Sequence, residues 1–257
     1  FVKDHDKNFI LGKKRLYMTA TPRIFSDDVK DKATDFTLYS MDDTKLFGET
    51  LFTINFSEAV SRGLLVDYKV IVLTVDSDTI INKIGNVITE NSEIVVDDAA
   101  RIVGCWKALS KQGIHADVGE DTHPMKRALA FCQVIDQTAK AKKHQVSSTR
   151  IASIFQTVVE AYQEAEAKEG NEISHRLICE AQHVDGGMGA DLKEQKLNWL
   201  KATPEQHIDE DGEERPVCRV LSNVRCLSEG VDVPALDAVL FLTPRSSQVD
   251  VVQSVGR

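Results

Sequence analysis

At 257 residues, 42% hydrophobic and 28% charged, the chain has an ordinary globular composition, with room for one large domain or two smaller ones. Its most apolar run, Val70 to Val75, is strand-sized and far short of the roughly 20 residues a membrane helix needs. The net charge of -9 does not exclude a nucleic-acid partner, because the charge is segregated. Lys126, Arg127, Lys140, Lys142, Lys143 and Arg150 face only one acid in their stretch, Asp136, whereas Glu205 to Glu214 holds acids and no base. Such runs also describe solvated surface.

The chain opens on FVKDHDKNF, with no initiator Met and no signal-peptide pattern, and so reads as the middle of a longer protein. Short apolar runs predict strands at Leu16–Thr19, Lys69–Val75, Ala128–Cys132, Leu177–His183, Val217–Ser222 and Ala238–Leu242. Helical spacing falls between them. Asp97 or Asp98 is placed to cap a helix through Ile102, Trp106 and Leu109 that Gly113 closes. Ser148 opens a second, carrying Ile151, Ile154, Phe155, Val158, Val159 and Tyr162 toward Gly170, and a third runs through Leu192, Leu197 and Leu200 before Pro204. Residues 76–96 read as a hairpin or long loop, and residues 203–216 as an exposed acidic loop. Strand alternating with helix predicts βαβ units and a mainly parallel sheet, with a domain boundary near residues 62–69.

The five cysteines are odd in number, scattered and without a C-x-x-C pair, which predicts buried reduced thiols in a cytosolic protein rather than disulfides or a zinc site. His115, Asp117, Asp121 and His123 lack a metal-ligand spacing and read as a solvated loop; no metal site is expected.

Three segments carry chemistry. Arg15 to Pro22 is an apolar strand ending in Thr19-Ala20-Thr21, two hydroxyls at the strand end where α/β sheets bind ligands; alone it also describes a strand ending in a turn. Val220 to Pro234 runs from a strand into Ser222-Asn223-Val224-Arg225 and then Glu229-Gly230-Val231-Asp232-Val233-Pro234. Gly230 there permits close approach to a phosphate or a positive φ, and Asp232 can accept from a ribose hydroxyl. Gln253-Ser254-Val255-Gly256-Arg257 offers an arginine that could serve a γ-phosphate, a contribution of about 10³–10⁵ in rate where it occurs.

In this order the segments resemble motifs III, V and VI of superfamily 2 helicases of the DEAD/DEAH-box kind. Arg127 to Cys132 is similar to that family's motif IV strand, and His183-Val184-Asp185-Gly186 to the strand and turn that follow it. The segment Leu46 to Glu49 followed by Phe56 to Val70 resembles the crossover between the RecA-like domains of large restriction-type helicases, and Ala99 to Trp106 is similar to single-chain type I restriction enzymes. The resemblance implies a RecA-like P-loop NTPase fold. Residues 1–68 would be the tail of the first RecA-like domain and crossover, and residues 69–257 the second domain, truncated at motif VI. No Walker A loop and no D-E-x-H occurs, so the fragment itself is expected to hydrolyse no ATP; ATP and Mg²⁺ are expected of the full-length protein.

By the same resemblance Gly230, Asp232 and Gly256 line the nucleotide cleft, Arg257 is an arginine finger, Gln253 positions motif VI, and Thr19 and Thr21 couple the phosphate site to domain closure. Nucleic acid would meet the turns after Phe131 and His183, and Ser222, Asn223 and Arg225 would reach its phosphate backbone without reading sequence. DNA is expected over RNA, with other domains of the same polypeptide as further partners. An RNA helicase and a non-catalytic RecA-like binding module remain alternatives; an unrelated Rossmann-like enzyme lacks G-x-G-x-x-G after any early strand.

Overall fold

The structure, a computed structural model, describes residues 9–19, 21–32, 38–113, 121–136, 144–173, 176–205, 207–209, 212–227 and 236–244. The chain divides into two units, Phe1–Asp67 and Tyr68–Arg257.

In the first unit, polar side chains start short helices: α1 (Asp27–Lys32), α2 (Thr44–Phe47) and α3 (Phe56–Ser61). Asp43 accepts from the Lys45 amide at the head of α2, and Asn55 from the Glu58 amide at the head of α3. The buried Ser40 hydroxyl accepts from the Phe25 amide, and Lys30 pairs with Asp42 at 2.7 Å. The strand expected at Leu16–Thr19 is not formed. Leu16 and Met18 are exposed, and among the described residues of this unit no strand runs beside them to satisfy their backbone groups.

The second unit is built on a parallel sheet with the order β2 (Ile178–His183), β5 (Val217–Asn223), β1 (Arg127–Phe131), β6 (Ala238–Phe241). These match four of the expected strands to within a residue at each end. Alternate side chains enter two cores, as a strand's period of two requires. Ala128, Ala130, Cys179, Cys218 and Val220 pack under α4 (Ser77–Glu90), α5 (Val96–Leu109) and α6 (Ser148–Lys168), while Leu129, Phe131 and Leu221 pack under α7 (Ala190–Lys201). The sheet is thus covered on both faces, which explains why its strands read as continuous apolar runs.

Two expectations fail here. Residues 76–96 are not a loop: Asp76 accepts from the Thr79 amide and starts α4, whose Ile80 and Ile84 are buried one helical turn apart. Lys83 of the same helix pairs with Glu166 of α6 at 2.8 Å and with Glu169, which caps that helix, at 2.6 Å. Lys69–Val75 forms no strand with any described residue, and Val70 and Val72 stand exposed. Alternating apolar residues suit an extended connector as well as a strand, and only a neighbouring strand makes the difference.

Smaller corrections concern ends and loops. Asp97 and Asp98 lie inside the first turn of α5, after Val95 at its N-cap, and Asp98 is fully buried with Oδ1 3.0 Å from His144 Nε2. Residues 203–216 contain a two-residue antiparallel pair, β3 (His207–Ile208) with β4 (Glu214–Arg215), turned at Gly212 with φ +83°. Gly170 follows α6 at φ +77°, a conformation that stops a helix at little cost only in glycine.

Candidate nucleic-acid interface

Because the strands are parallel, their C-terminal ends gather at one edge of the sheet, where α/β folds bind ligands. Phe131 lies opposite Asn223 and Phe241, and His183 opposite Ser222. Asp237 helps align this edge from the other end: its Oδ2 accepts from the Lys126 and Arg127 amides at 2.8 and 3.0 Å, setting β6 against β1. The expected nucleic-acid residues Phe131, His183, Ser222 and Asn223 are therefore brought together, and Arg225 sits on the turn leaving β5.

Their side chains are not equally available. The Phe131 ring is buried and stacks on Phe241 with centroids 5.6 Å apart, so it supports the turn that follows and offers no open face. Ser222 and Asn223 are fully buried, and their side chains do not reach outward as expected. Ser222 Oγ donates to the Ser148 carbonyl at 2.8 Å, and Asn223 Nδ2 donates to the Ala130 carbonyl at 3.3 Å, leaving Asn223 Oδ1 buried without a partner. Arg225 is exposed.

His183 is held at both ring nitrogens. Nδ1 is 2.7 Å from Ser148 Oγ, and Nε2 is 2.9 Å from Asp185 Oδ2. Asp185 also accepts from the amides of Gly187 and Met188 through Oδ1, which shapes the turn leading into α7. The hydrogen bond from His183, supported by those two amides, holds the Asp185 carboxyl below its ordinary pKa. The atom order Asp185–His183–Ser148 matches a nucleophilic relay, yet Ser148 is fully buried and its hydroxyl also lies 3.0 Å from Ser222 Oγ. The amides of Ser148 and Thr149 are committed to the carbonyls of Val134 and Ile135, so the head of α6 presents no free donors for an oxyanion there. The arrangement orients; it does not attack.

Ser148 and Asp185 were not among the expected site residues. The H-x-D spacing of His183 and Asp185 was a visible signal for one link, whereas Ser148 and Ser222 lie 74 positions apart and meet only through the fold.

Of the other expected site residues, Thr19 and Thr21 adjoin: the Thr21 amide donates to Thr19 Oγ1 at 3.1 Å. Gly230, Asp232, Gln253, Gly256 and Arg257 lie outside the described residues. His115 and Asp117 do too, while Asp121 is exposed and bonded to Lys111 at 2.7 Å. Among the described residues no three His, Cys, Asp or Glu side chains form a group able to hold a metal ion. All five cysteines are free thiols, with Cys132, Cys179 and Cys218 buried. No described helix is long and apolar enough to cross a membrane.

A parallel sheet with helices on both faces and polar turns at its carboxyl edge gives the second unit a RecA-like α/β fold. The particular likeness is narrower. Over its whole length the chain is similar to part of the ATP-dependent type ISP restriction-modification enzyme LlaBIII, solved bound to DNA, with 38% identity and a TM-score of 0.71. The match covers 100% of this chain and 15% of that one, and it bears out the resemblance to restriction-type helicases. No protein-family model and no curated protein matches the chain.

Proposed function

We propose that the chain is part of the ATP-driven DNA-translocating motor of a restriction-modification protein. Residues 69–257 would form its second RecA-like domain and residues 1–68 the end of the first with the crossover. The observation that carries this reading is the 38% identity, maintained over the full chain, to a DNA-bound ATP-dependent restriction-modification enzyme. A parallel sheet whose carboxyl edge carries an exposed arginine suits a surface that follows a phosphate backbone regardless of sequence.

In this reading Arg225 contacts DNA, and the turns after Phe131 and His183 lie along the same path. Gly230, Asp232 and Gly256 would approach the nucleotide, Gln253 would order the segment that carries Arg257, and Arg257 would place positive charge on the transferring phosphoryl group. Thr19 and Thr21, already joined by a hydrogen bond, would link the nucleotide side to domain closure. Bound ATP with Mg²⁺ supplies the phosphoryl-transfer chemistry in the full-length protein, with metal carboxylates and phosphate cradle lying outside these 257 residues. The isolated chain would then show no Mg²⁺-dependent ATPase activity.

The test is the ATPase rate of the full-length protein with double-stranded DNA and with RNA. Stimulation by double-stranded DNA is expected. Stimulation by RNA alone would make it an RNA helicase, and no nucleotide turnover under any condition would favour a non-catalytic binding module.

A further inference from the structure

The hydrogen bonds around His183 form a continuous chain. A carboxylate only accepts, so the contact between Asp185 and Nε2 places a proton on Nε2. On the other side of the ring, Nδ1 meets the Ser148 hydroxyl at 2.7 Å. The Ser148 hydroxyl donates to Ser222 Oγ at 3.0 Å, and the Ser222 hydroxyl goes to the Ser148 carbonyl at 2.8 Å. Each member fixes the next, from the turn after β2 through the head of α6 to the end of β5.

The turn that follows β5 is tied to the same place. Val184, between His183 and Asp185, donates its amide to the Ser222 carbonyl at 3.0 Å. Its carbonyl accepts from Cys226 Sγ at 3.4 Å, and Val184 and Leu227 share the core under α7. Arg225 therefore rides on a turn held at both ends by Val184, the residue after His183.

We propose that His183 is a positioning residue: through Ser148 and Ser222 it sets the course of the Val224–Cys226 turn and so aims Arg225 at the phosphate backbone of DNA. This inference rests on the reading of Arg225 as a DNA contact. The relay explains why two polar residues at the ligand-binding edge, Ser148 and Ser222, are fully buried and bonded to each other's elements.

A double-mutant cycle in the full-length protein tests it, with DNA affinity measured against salt concentration. Arg225→Ala and His183→Ala should each weaken binding about tenfold and lower the salt slope by about one. Combined, they should bind within about twofold of Arg225→Ala alone, because the second change removes nothing that is still aimed. His183→Asn, whose side-chain amide can hydrogen-bond the Ser148 hydroxyl, should recover most of the loss. If His183→Ala does not fold, Ser148→Ala takes its place in the cycle. Independent losses that multiply in the double variant would overturn the inference while leaving Arg225 a DNA contact. An unchanged affinity and slope for Arg225→Ala would instead remove the reading of Arg225 itself, and the inference with it.

Discussion

Ser148 Oγ and His183 Nδ1 stand 2.7 Å apart although 35 positions separate them. The contact joins the first residue of α6 to the last residue of β2 at the edge where the candidate interface lies. Removing one partner leaves the other short of a hydrogen bond in a largely buried site. Ser148→Ala should therefore cost about 1–3 kcal/mol, the penalty for an unpaired buried polar group, read as a lower urea midpoint at unchanged m-value.

The two-sided core makes a sharper contrast. Ile154 is buried between α6 and the sheet, whereas Val72 is exposed on a segment that forms no strand with any described residue. Ile154→Ala should cost about 2–5 kcal/mol by leaving a cavity, while Val72→Ser should change stability by less than about 0.5 kcal/mol. Denaturant unfolding of both variants checks the pair; a large loss for Val72→Ser would restore that segment to a buried strand.

Asp121 supplies a pH signature. Its hydrogen bond with Lys111, followed by bonds from the His123 amide and ring, lowers its pKa to about 2. A depressed carboxyl pKa stabilises the folded state above the unfolded value of about 4, and that contribution disappears as pH falls toward the folded value. The difference in urea midpoint between the protein and Asp121→Asn should be full at pH 6 and shrink between pH 4 and pH 2. A difference that is constant across this range would contradict the Lys111 pairing.

The thiols should be quiet. Burial pushes the Cys105 thiol up to about 12 and raises Cys179, Cys218 and Cys226 as well. A thiol reagent at pH 8 should label these four slowly in the native protein and rapidly in denaturant. Fast native labelling of Cys179 would mean that the strand pair β2–β5 opens readily.

Strand–helix alternation made most of the second unit legible: β1, β2, β5, β6, α6 and α7 follow from apolar period and from boundaries such as Gly170. The α4 segment was hidden because Asp, Asn and Ser suggest a loop locally, while the burial of Ile80 and Ile84 against α5 and α6 decides the outcome. Leu16–Thr19 and Lys69–Val75 erred the other way, since an apolar pattern cannot say whether a neighbouring strand exists. At the interface, residue types indicated which positions gather at the sheet edge but not which way they face. Ser222 and Asn223 looked like phosphate contacts, and their burial depends on partners at Ser148 and Ala130 that no local pattern announces.

In the proposed function these residues belong to an ATP-driven motor acting on DNA, and Arg257 reaches the transferring phosphoryl group. The most direct measurement is the ATPase rate of the full-length protein, saturated with double-stranded DNA and Mg²⁺-ATP, compared with that of Arg257→Ala. The variant should lose about 10³-fold or more in rate while still binding ATP. A variant that turns over at the unaltered rate would contradict the account.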